Sequence, residues 1–435
     1  MIEPGRPWRN WARSESSAPQ YVSRASSVDD VVETVRFARD RGLAIRPIGA
    51  GHSFTGIAAT DGVQLDISAL DGLLEVDGEL VTLGAGINLY QLPALLGPHG
   101  LALANMGDID VQTIAGATST GTHGTGAAFG GLATQITAVT LVTAAGELLH
   151  VSETENAELL PAARLGLGAL GVLVAIQIRC VPTFLLHAVE RPEKAETVLA
   201  EWEQRLAEND HFEFYSWPHA DLVSTKTNNR LQPDAPRKPL GRFQRWFEND
   251  FMSNTVFTAS LETLRVMPGL IPAMNRFSVK AEANREFTDL SSSVFTTPRT
   301  VRFREMEYAV PVERIPEALT AIHDLIARKG WRISFPLEVR ASAADDLWLS
   351  TASGRATGYI AAHRFWRDDP AEYFREIEAI MRDLDGRPHW GKMNSRTADD
   401  LRPAYPHFDD FVAVRDRLDP ERRFGNPYLE RVLGG

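Results

Sequence analysis

Twelve consecutive residues, Ala115 to Gly126, read AGATSTGTHGTG and hold nothing bulkier than threonine except His123. Serine and threonine compete with the backbone for its hydrogen bonds and glycine resists ordering, so the run is a poor helix; it also lacks the apolar bulk of a core strand. It predicts a loop laid closely along a phosphate-bearing ligand. A second segment of this kind is RPIGAGHSFTG, residues 46–56, where a predicted strand enters a glycine-rich loop. Gly49 and Gly51 permit positive φ, so successive backbone N–H groups can converge on an anion. His52 stands at the tip, with Ser53 and Thr55 as further donors. A lone histidine in such a loop is equally well a solvated turn residue.

The third segment, GLGALG at 166–171, spells the G-x-G-x-x-G of a dinucleotide-binding turn. That motif works only with a strand before it, a helix after it and an acidic residue about 20 positions on. Here the order is reversed. SETENAELLPAARL before it reads as a short helix interrupted near Pro161, and VLVAIQIRCVP after it reads as a buried strand. The segment reads as a tight helix-to-strand turn where backbones pass closely, a third close approach around the ligand of the other two.

Elsewhere the first 180 residues mix small elements. SSVDDVVETVRFARDRG, residues 26–42, is a helix with Ser27 as N-cap and Gly42 as stop. GVQLDIS, GLLEVDG and ELVTLGAG are short strands, LYQLPALLGPHG is a helix ending at Gly100, and ITAVTLVTAAGELLHVS is a hairpin turning at Gly146. Beyond VPTFLL, long helical patterns (AETVLAEWEQRLAEN, IPEALTAIHDLIARKG) alternate with strand-like HFEFYSWP, RFREMEYAVP, SFPLEVRAS and TGYIAAHRF. NNRLQPDAPRKPLGR, residues 228–242, has no periodicity and predicts a mobile surface loop. A domain boundary falls near residues 183–190.

With 435 residues the chain is long enough for two or three domains. Its 45 basic and 57 acidic residues give a net charge of −12, which argues against nucleic-acid binding and against a polybasic membrane anchor. Cys180 is the only cysteine, so neither a disulfide framework nor a cysteine-based zinc site is expected, and no metal site is assigned. No stretch of about 18 apolar residues or signal-peptide pattern occurs; the expectation is a cytoplasmic protein without a transmembrane segment.

GAGHSFTG, IAGATSTGTHGTG and GLGALG, in that order and at those separations, resemble the flavin-binding domain of FAD-linked oxidases of the vanillyl-alcohol-oxidase type. REMEYAVP, PLEVR, RPHWGK and the terminal LDPERRFGNPYL extend the resemblance over nearly the whole chain, toward the sugar-1,4-lactone oxidases and dehydrogenases (gulono-, galactono- and arabinono-) and the neighbouring alditol oxidases. RPHWGK is the most specific part. The resemblance implies an α+β architecture: a PCMH-type FAD-binding domain over residues 1–185, an α+β substrate cap over 186–395, and a segment 396–435 returning to the first domain. It also implies that a dinucleotide is bound, by three separate loops.

The resemblance places Gly49, Ala50, Gly51, Ser53, Gly107, Ser119, Thr120, Thr122, His123, Gly124 and Gly171 against FAD. His52 matches the histidine joined to the flavin 8α-methyl in this family; a doubly linked branch uses a cysteine too, but Cys180 lies outside that motif, so a single link is expected. Gly107, in NMGD, matches the residue flanking flavin C4a, where the lack of a side chain would admit dioxygen. A glycine in a turn is also commonly there for its φ.

Glu338 and Arg340, in EVR, fall on one face of a strand because side chains alternate. For an arbitrary E-x-R this is an exposed ion pair. The resemblance instead puts Arg340 beside flavin N1 and C2=O and Glu338 on substrate hydroxyls. Lys392, in HWGK, matches an active-site lysine that engages the reacting hydroxyl; burial and Arg340 would lower its pKa and let it take part in proton removal, or it positions the oxygen only. His363 is a further pocket candidate, and His389 is as well explained by structure. The expected reaction is hydride transfer from a lactone carbon to flavin N5, with dioxygen or another acceptor taking the electrons; oxidation at C2 would give a 2-keto lactone that tautomerises to an ascorbate-type enediol. The alternatives are an alditol (xylitol or sorbitol) oxidase and a catalytically silent flavin-binding protein.

Overall fold

The computed structural model describes residues 2–232 and 234–435. Near the N-terminus, Ser27 and Asp30 cap the helix Val28–Asp40 reciprocally, each side chain accepting from the other's backbone N–H. The helix buries Val31, Val35 and Ala38 in a core shared with strands Ile45–Ile48 and Val63–Asp66. Ile45–Ile48 and Tyr21–Arg24 both pair parallel to Val63–Asp66, and Ile2–Pro4 closes this sheet. Strand Ile45–Ile48 therefore delivers the 49–56 loop at its carboxyl end. A second, antiparallel sheet orders Leu148–Ser152, Ile136–Val142, Val172–Arg179, Leu80–Gly84 and Leu73–Asp77. Cys180 lies just beyond Val172–Arg179, fully buried in the same core.

The hydroxyl-rich run corrects its sequence reading. Ile114–Thr120 is a helix, and the loop begins only at Gly121. Thr113 caps the helix by accepting from Gly116 N, and Gly121 ends it at φ +81°. The hydroxyls expected to compete with the helix instead bond within it: Thr118 Oγ1 donates to Ile114 O (2.8 Å) and Thr120 Oγ1 to Gly116 O (3.0 Å). Small side chains let this helix lie close to its neighbours; a Cβ at Gly49 would stand 2.3 Å from Thr113 Oγ1.

The rest of the chain is built on an eight-stranded antiparallel sheet among the described residues, ordered Arg285–Leu290, Leu185–Lys194, Leu222–Arg230, His211–Ser216, Leu337–Ser342, Thr357–Phe365, Phe303–Pro311 and Arg387–Pro388. Its central strands alternate strictly. Phe212, Phe214, Leu337, Val339, Ile360, Met306 and Tyr308 point one way, into a core closed by helices Ile315–Lys329 and Ala371–Asp383. Fully burying one such side chain is worth about 1.5–3 kcal/mol, so this face fixes the register. The intervening residues, Glu213, Tyr215, Glu338, Arg340, His363, Glu305 and Glu307, then have no choice but the other face. Pairing aligns Tyr215, Glu338, Ala361 and Glu307 in one cross-strand row.

Residues 228–230, expected in a mobile loop, complete strand Leu222–Arg230, where Asn228 pairs with both Ala188 and His211. Sheet neighbours supply the order that local periodicity lacked. The C-terminal helices Phe408–Leu418 and Pro427–Leu433 return Phe411 and Leu429 to the first core, and Phe424 joins it from the turn between them.

Candidate active site

Two adjoining cavities meet between the sheets. The larger, a slot of about 990 Å³, is lined by Gly49, Ala50, Gly51, His52 and Ser53 from the first loop, by Ser119 and Thr120 from the hydroxyl-rich helix, and by Gly166, Gly168 and Gly171. Gly51 sits at φ +69° and Gly168 at +62°. Gly49 is not left-handed, contrary to the sequence reading; contact with Thr113 is its reason. Arg46, buried before the first loop, staples the slot's wall by donating to Ile57 O (2.9 Å), Leu167 O (3.0 Å), Gly168 O (2.8 Å) and Phe424 O (2.5 Å). Asn426 holds the other side of the loop through Gly56 O and Ala59 O, both 2.9 Å.

The smaller cavity, about 450 Å³, shares His52, Ser53, Gln112 and Thr120 with the slot and adds Gly107, Asp108, Thr122, His123, Glu307, Arg340, His389 and Lys392. A slot lined by small residues thus ends in a chamber lined by charge. Gly124 touches neither cavity; it lets the chain pass Met106 O, which a Cβ would approach to 2.2 Å. Gly107 is not left-handed either, so φ does not account for it. A Cβ there would lie 3.2 Å from His123 O and 3.3 Å from Thr122 Cγ2.

His52 is held from several sides. Trp11 stacks on its ring, centroids 5.0 Å apart. Trp11 N donates to Gly51 O (2.8 Å), Asn10 Nδ2 to Ser53 O (2.9 Å) and Ser14 Oγ to Phe54 O (2.8 Å), so the N-terminal strap fixes the backbone around the imidazole. Burial, reinforced by the Lys392 charge, pushes the His52 pKa down to about 4 and keeps the ring neutral.

The His389–Lys392 turn docks on the same loop. Phe54 N donates to Gly391 O (2.7 Å), Thr55 Oγ1 to Trp390 O (3.3 Å) and Tyr428 Oη to Trp390 O (2.8 Å), while Trp390 Nε1 donates to Leu349 O (2.6 Å). Gly391 N donates to His389 Nδ1 (3.0 Å). Burial drives the His389 pKa down to about 3.

Over this loop stands the polar face of the large sheet. Lys392 pairs with Glu305, whose other oxygen lies 3.6 Å from His363 Nε2. His123 lies between Gly124 O (Nδ1, 2.8 Å) and Glu307 (Nε2, 3.2 Å) and stacks on Tyr359. Arg340 pairs with Glu338, donates to Glu213 (3.0 Å) and reaches Asp108 at 3.4 Å. Tyr215 Oη donates to Glu338 (2.9 Å), and Arg299 bridges Tyr215 (3.2 Å) to Asp108 (2.6 Å). Lys226 completes the network on Glu213 at 3.2 Å.

Burial alone would lower the Lys392 pKa, but Glu305, Glu307 and Asp108 reverse the sign and raise it. This overturns the expected lowered value: the sequence reading counted Arg340 and missed the carboxylates. Against burial, Lys392 and His363 hold Glu305 down to about 2. Glu338 goes the other way, because burial outweighs Arg340 and Asp108 adds repulsion. Five carboxyls thus face the cations Lys226, Arg299, Arg340 and Lys392, and Glu338 is the one that most readily accepts a proton.

Of the site residues named from sequence, His52, Gly107, Thr122, His123, Arg340 and Lys392 share the chamber, and Ala50, Ser119 and Gly171 line the slot. Glu338 and His363 stand behind the chamber wall, joined to it through Arg340 and Glu305. Asp108, Glu213, Tyr215, Arg299, Glu305 and Glu307 were missed. Glu305 and Glu307 carried a signal, two acids at strand spacing between apolar residues in REMEYAVP, as did Glu213 in HFEFY. Arg299 carried none. It comes from an irregular segment whose backbone is clamped by Asn254, which bonds Pro298 O (2.9 Å) and Thr300 N (2.6 Å).

A family model described as D-arabinono-1,4-lactone oxidase matches residues 176–432, and one described as FAD binding domain matches residues 19–152. The chain belongs to the D-arabinono-1,4-lactone oxidase family. It is 43% identical over 429 residues to L-gulono-1,4-lactone dehydrogenase of Mycobacterium tuberculosis, covering 98% of this chain and 99% of that one. It is 34% identical to L-gulonolactone oxidase of Bos taurus, covering 99% and 98%. A solved cholesterol oxidase from Brevibacterium sterolicum superposes with TM-score 0.83 at 19% identity, over 100% of this chain and 97% of that one; this likeness shows a shared fold.

The slot fits the FAD of this family. Its wall lacks Cβ atoms at six glycines, and Ser53, Thr55, Ser119 and Thr120 supply hydroxyls beside the φ +69° turn at Gly51. Cys180 lines neither cavity.

Proposed function

We propose that this chain is an FAD-dependent oxidoreductase that oxidises a sugar 1,4-lactone of the gulono-, galactono- or arabinono- type at a ring hydroxyl. The observation that carries this reading is the junction of the two cavities: a glycine-walled slot opens at His52 into a chamber lined by Arg340, Lys392, Glu307 and His123. When bound, FAD supplies the hydride acceptor, with dioxygen or another acceptor taking the electrons afterwards. Support for the lactone comes from the 43% identity to a gulonolactone dehydrogenase along nearly the full length of both chains.

The chamber's own residues have definable tasks. Lys392, kept charged by Glu305, donates to the reacting oxygen instead of abstracting its proton unaided. As the C–H bond weakens, the hydroxyl proton passes to Nζ while Nζ gives one to Glu305, so Lys392 stays charged and Glu305 becomes the neutral acid. Arg340 presents fixed positive charge to developing negative charge, and its pairing with three carboxyls pre-organises it. Glu338 and Tyr215 orient Arg340 from behind the chamber wall. The neutral His52 imidazole is suited to attack an electrophilic carbon, and we assign it the single covalent link to the flavin. A Cβ at Gly107 would press on His123 O and Thr122, so the glycine serves the close approach of these two chain segments.

Acid precipitation of the purified protein tests the cofactor. Yellow colour retained in the washed pellet and lost in His52→Ala supports the link; yellow supernatant removes it while keeping FAD. Anaerobic mixing with gulono-, galactono- and arabinono-lactone against xylitol and sorbitol tests the substrate. Bleaching by lactones only supports the proposal, and bleaching by the open-chain polyols only replaces it with alditol oxidation.

A further inference from the structure

Ten of the fourteen large apolar side chains found exposed among the described residues fall between Phe243 and Phe277. This region is a helical excursion from the large sheet: helix Arg242–Arg245 runs through a π-helical stretch, Trp246–Val256, into helix Phe257–Val266, then turns at Pro268 and Gly269 into helix Ile271–Ala281. Phe243, Trp246, Phe247 and Phe251 recur at the spacing that shares a helix face. Their rings contact one another with centroids 5.7–6.1 Å apart, in the open, with exposures of 74, 50, 40 and 38%. Val266 and Phe277, 77 and 68% exposed, carry the apolar surface onto the second arm. Aromatic clusters of this kind are normally buried, so a covering surface is called for.

Charge identifies the cover. Residues 237–280 hold seven basic and three acidic side chains, an excess of four positive charges in a chain of net −12, which leaves an excess of sixteen negative charges elsewhere. Lys238, Arg242, Arg265 and Lys280 are exposed and make no ion pair among the described residues. The whole-chain charge, which argued against a membrane anchor, conceals this patch. An anionic bilayer would attract it and repel the remaining surface, giving one defined orientation. No helix among the described residues is long and apolar enough to cross a membrane, so the arrangement is that of helices lying in the interface, aromatic residues inserted and basic residues at the headgroups.

We propose that the 242–281 helical hairpin is a membrane-docking surface that holds this enzyme peripherally on an anionic lipid bilayer. The test is co-sedimentation of the flavin-loaded protein with vesicles of phosphatidylcholine containing about a quarter phosphatidylglycerol, against phosphatidylcholine alone. The expected result is binding to the anionic vesicles at least about tenfold tighter than to the neutral ones, weakened by roughly 0.5 M salt. Phe243→Ser with Phe247→Ser lowers binding by about tenfold or more, and Lys238→Glu with Arg242→Glu, at side chains free of ion pairs among the described residues, does the same. Unchanged thermal midpoints and flavin content show that both variants fold. Failure to sediment with either vesicle, or equal binding by wild type and both variants, overturns the proposal. So does a dimer in size-exclusion chromatography that the Phe243→Ser, Phe247→Ser variant dissociates in the absence of vesicle binding, since the cover would then be a second copy of the chain.

Discussion

The two faces of the eight-stranded sheet are made by the same strands and do opposite work. Toward the helices, Phe212, Phe214, Leu337, Val339, Met306 and Ile360 form an apolar core; toward the slot, Glu213, Tyr215, Glu338, Arg340, Glu305 and Glu307 form a buried charge network. A period of two separates them, so each residue in the strand sequence FREMEYAVP alternately serves stability or the site. The apolar face can hold the polar one rigid because its packing sets a register that costs a whole face to shift. The polar face, by contrast, is a desolvated network that stabilises little on its own and is worth keeping for its geometry. Substitutions on the apolar face should therefore change stability, and those on the polar face the reaction.

The largest expected departure from this division is Lys392→Met, which should lower kcat/KM for the lactone about a thousandfold. It also strips Glu305 of its partner, so the thermal midpoint falls too. Adding Glu305→Gln should restore the midpoint and not the rate; a restored rate would refute the proton relay. Next, Phe214→Ala on the apolar face should cost about 3–5 kcal/mol in denaturant unfolding while flavin reduction per folded molecule stays near the wild-type rate.

A pH experiment probes the apolar side further. His323, under the sheet and bonded to Ser216 at 2.7 Å, has its pKa pushed by burial from 6.5 to about 4. Between those values the unfolded chain binds a proton that the folded chain refuses, so stability rises with pH through the window and is lost as pH falls from 6.5 to 4. His323→Gln should remove up to about 3 kcal/mol of that loss, read as a flatter dependence of the urea midpoint on pH. An unchanged dependence would mean that the ring is solvated. The smallest effect belongs to Trp11→Ala, which frees the His52 ring: acid-stable flavin should form about tenfold more slowly, with FAD still bound.

Much of this was legible in the sequence because period-two alternation is a local signal. EVR showed which residues share a face, EMEY and FEFY carried the same signal unread, and the glycine segments announced close approach. What stayed hidden was set by long-range contact. The hydroxyl run became a helix because Thr113 and Gly121 cap it and its own hydroxyls bond back within it. Lys392 was given the wrong sign of pKa shift because Glu305 meets it from a strand 87 residues away. Arg299 had no pattern at all, since Asn254 on a distant helix places it.

Glu338 and Val339 are neighbours in sequence and point to opposite faces, so one comparison tests the division directly. The measurement is the anaerobic rate of flavin bleaching by L-gulono-1,4-lactone in Glu338→Gln and in Val339→Ala. Gln keeps the size of Glu338 but removes the carboxylate that pairs with Arg340, so that variant should keep its fold and bleach about a hundredfold more slowly. Val339→Ala should lose stability and bleach at close to the wild-type rate. Equal slowing in both variants, or slowing in Val339→Ala alone, would contradict the account.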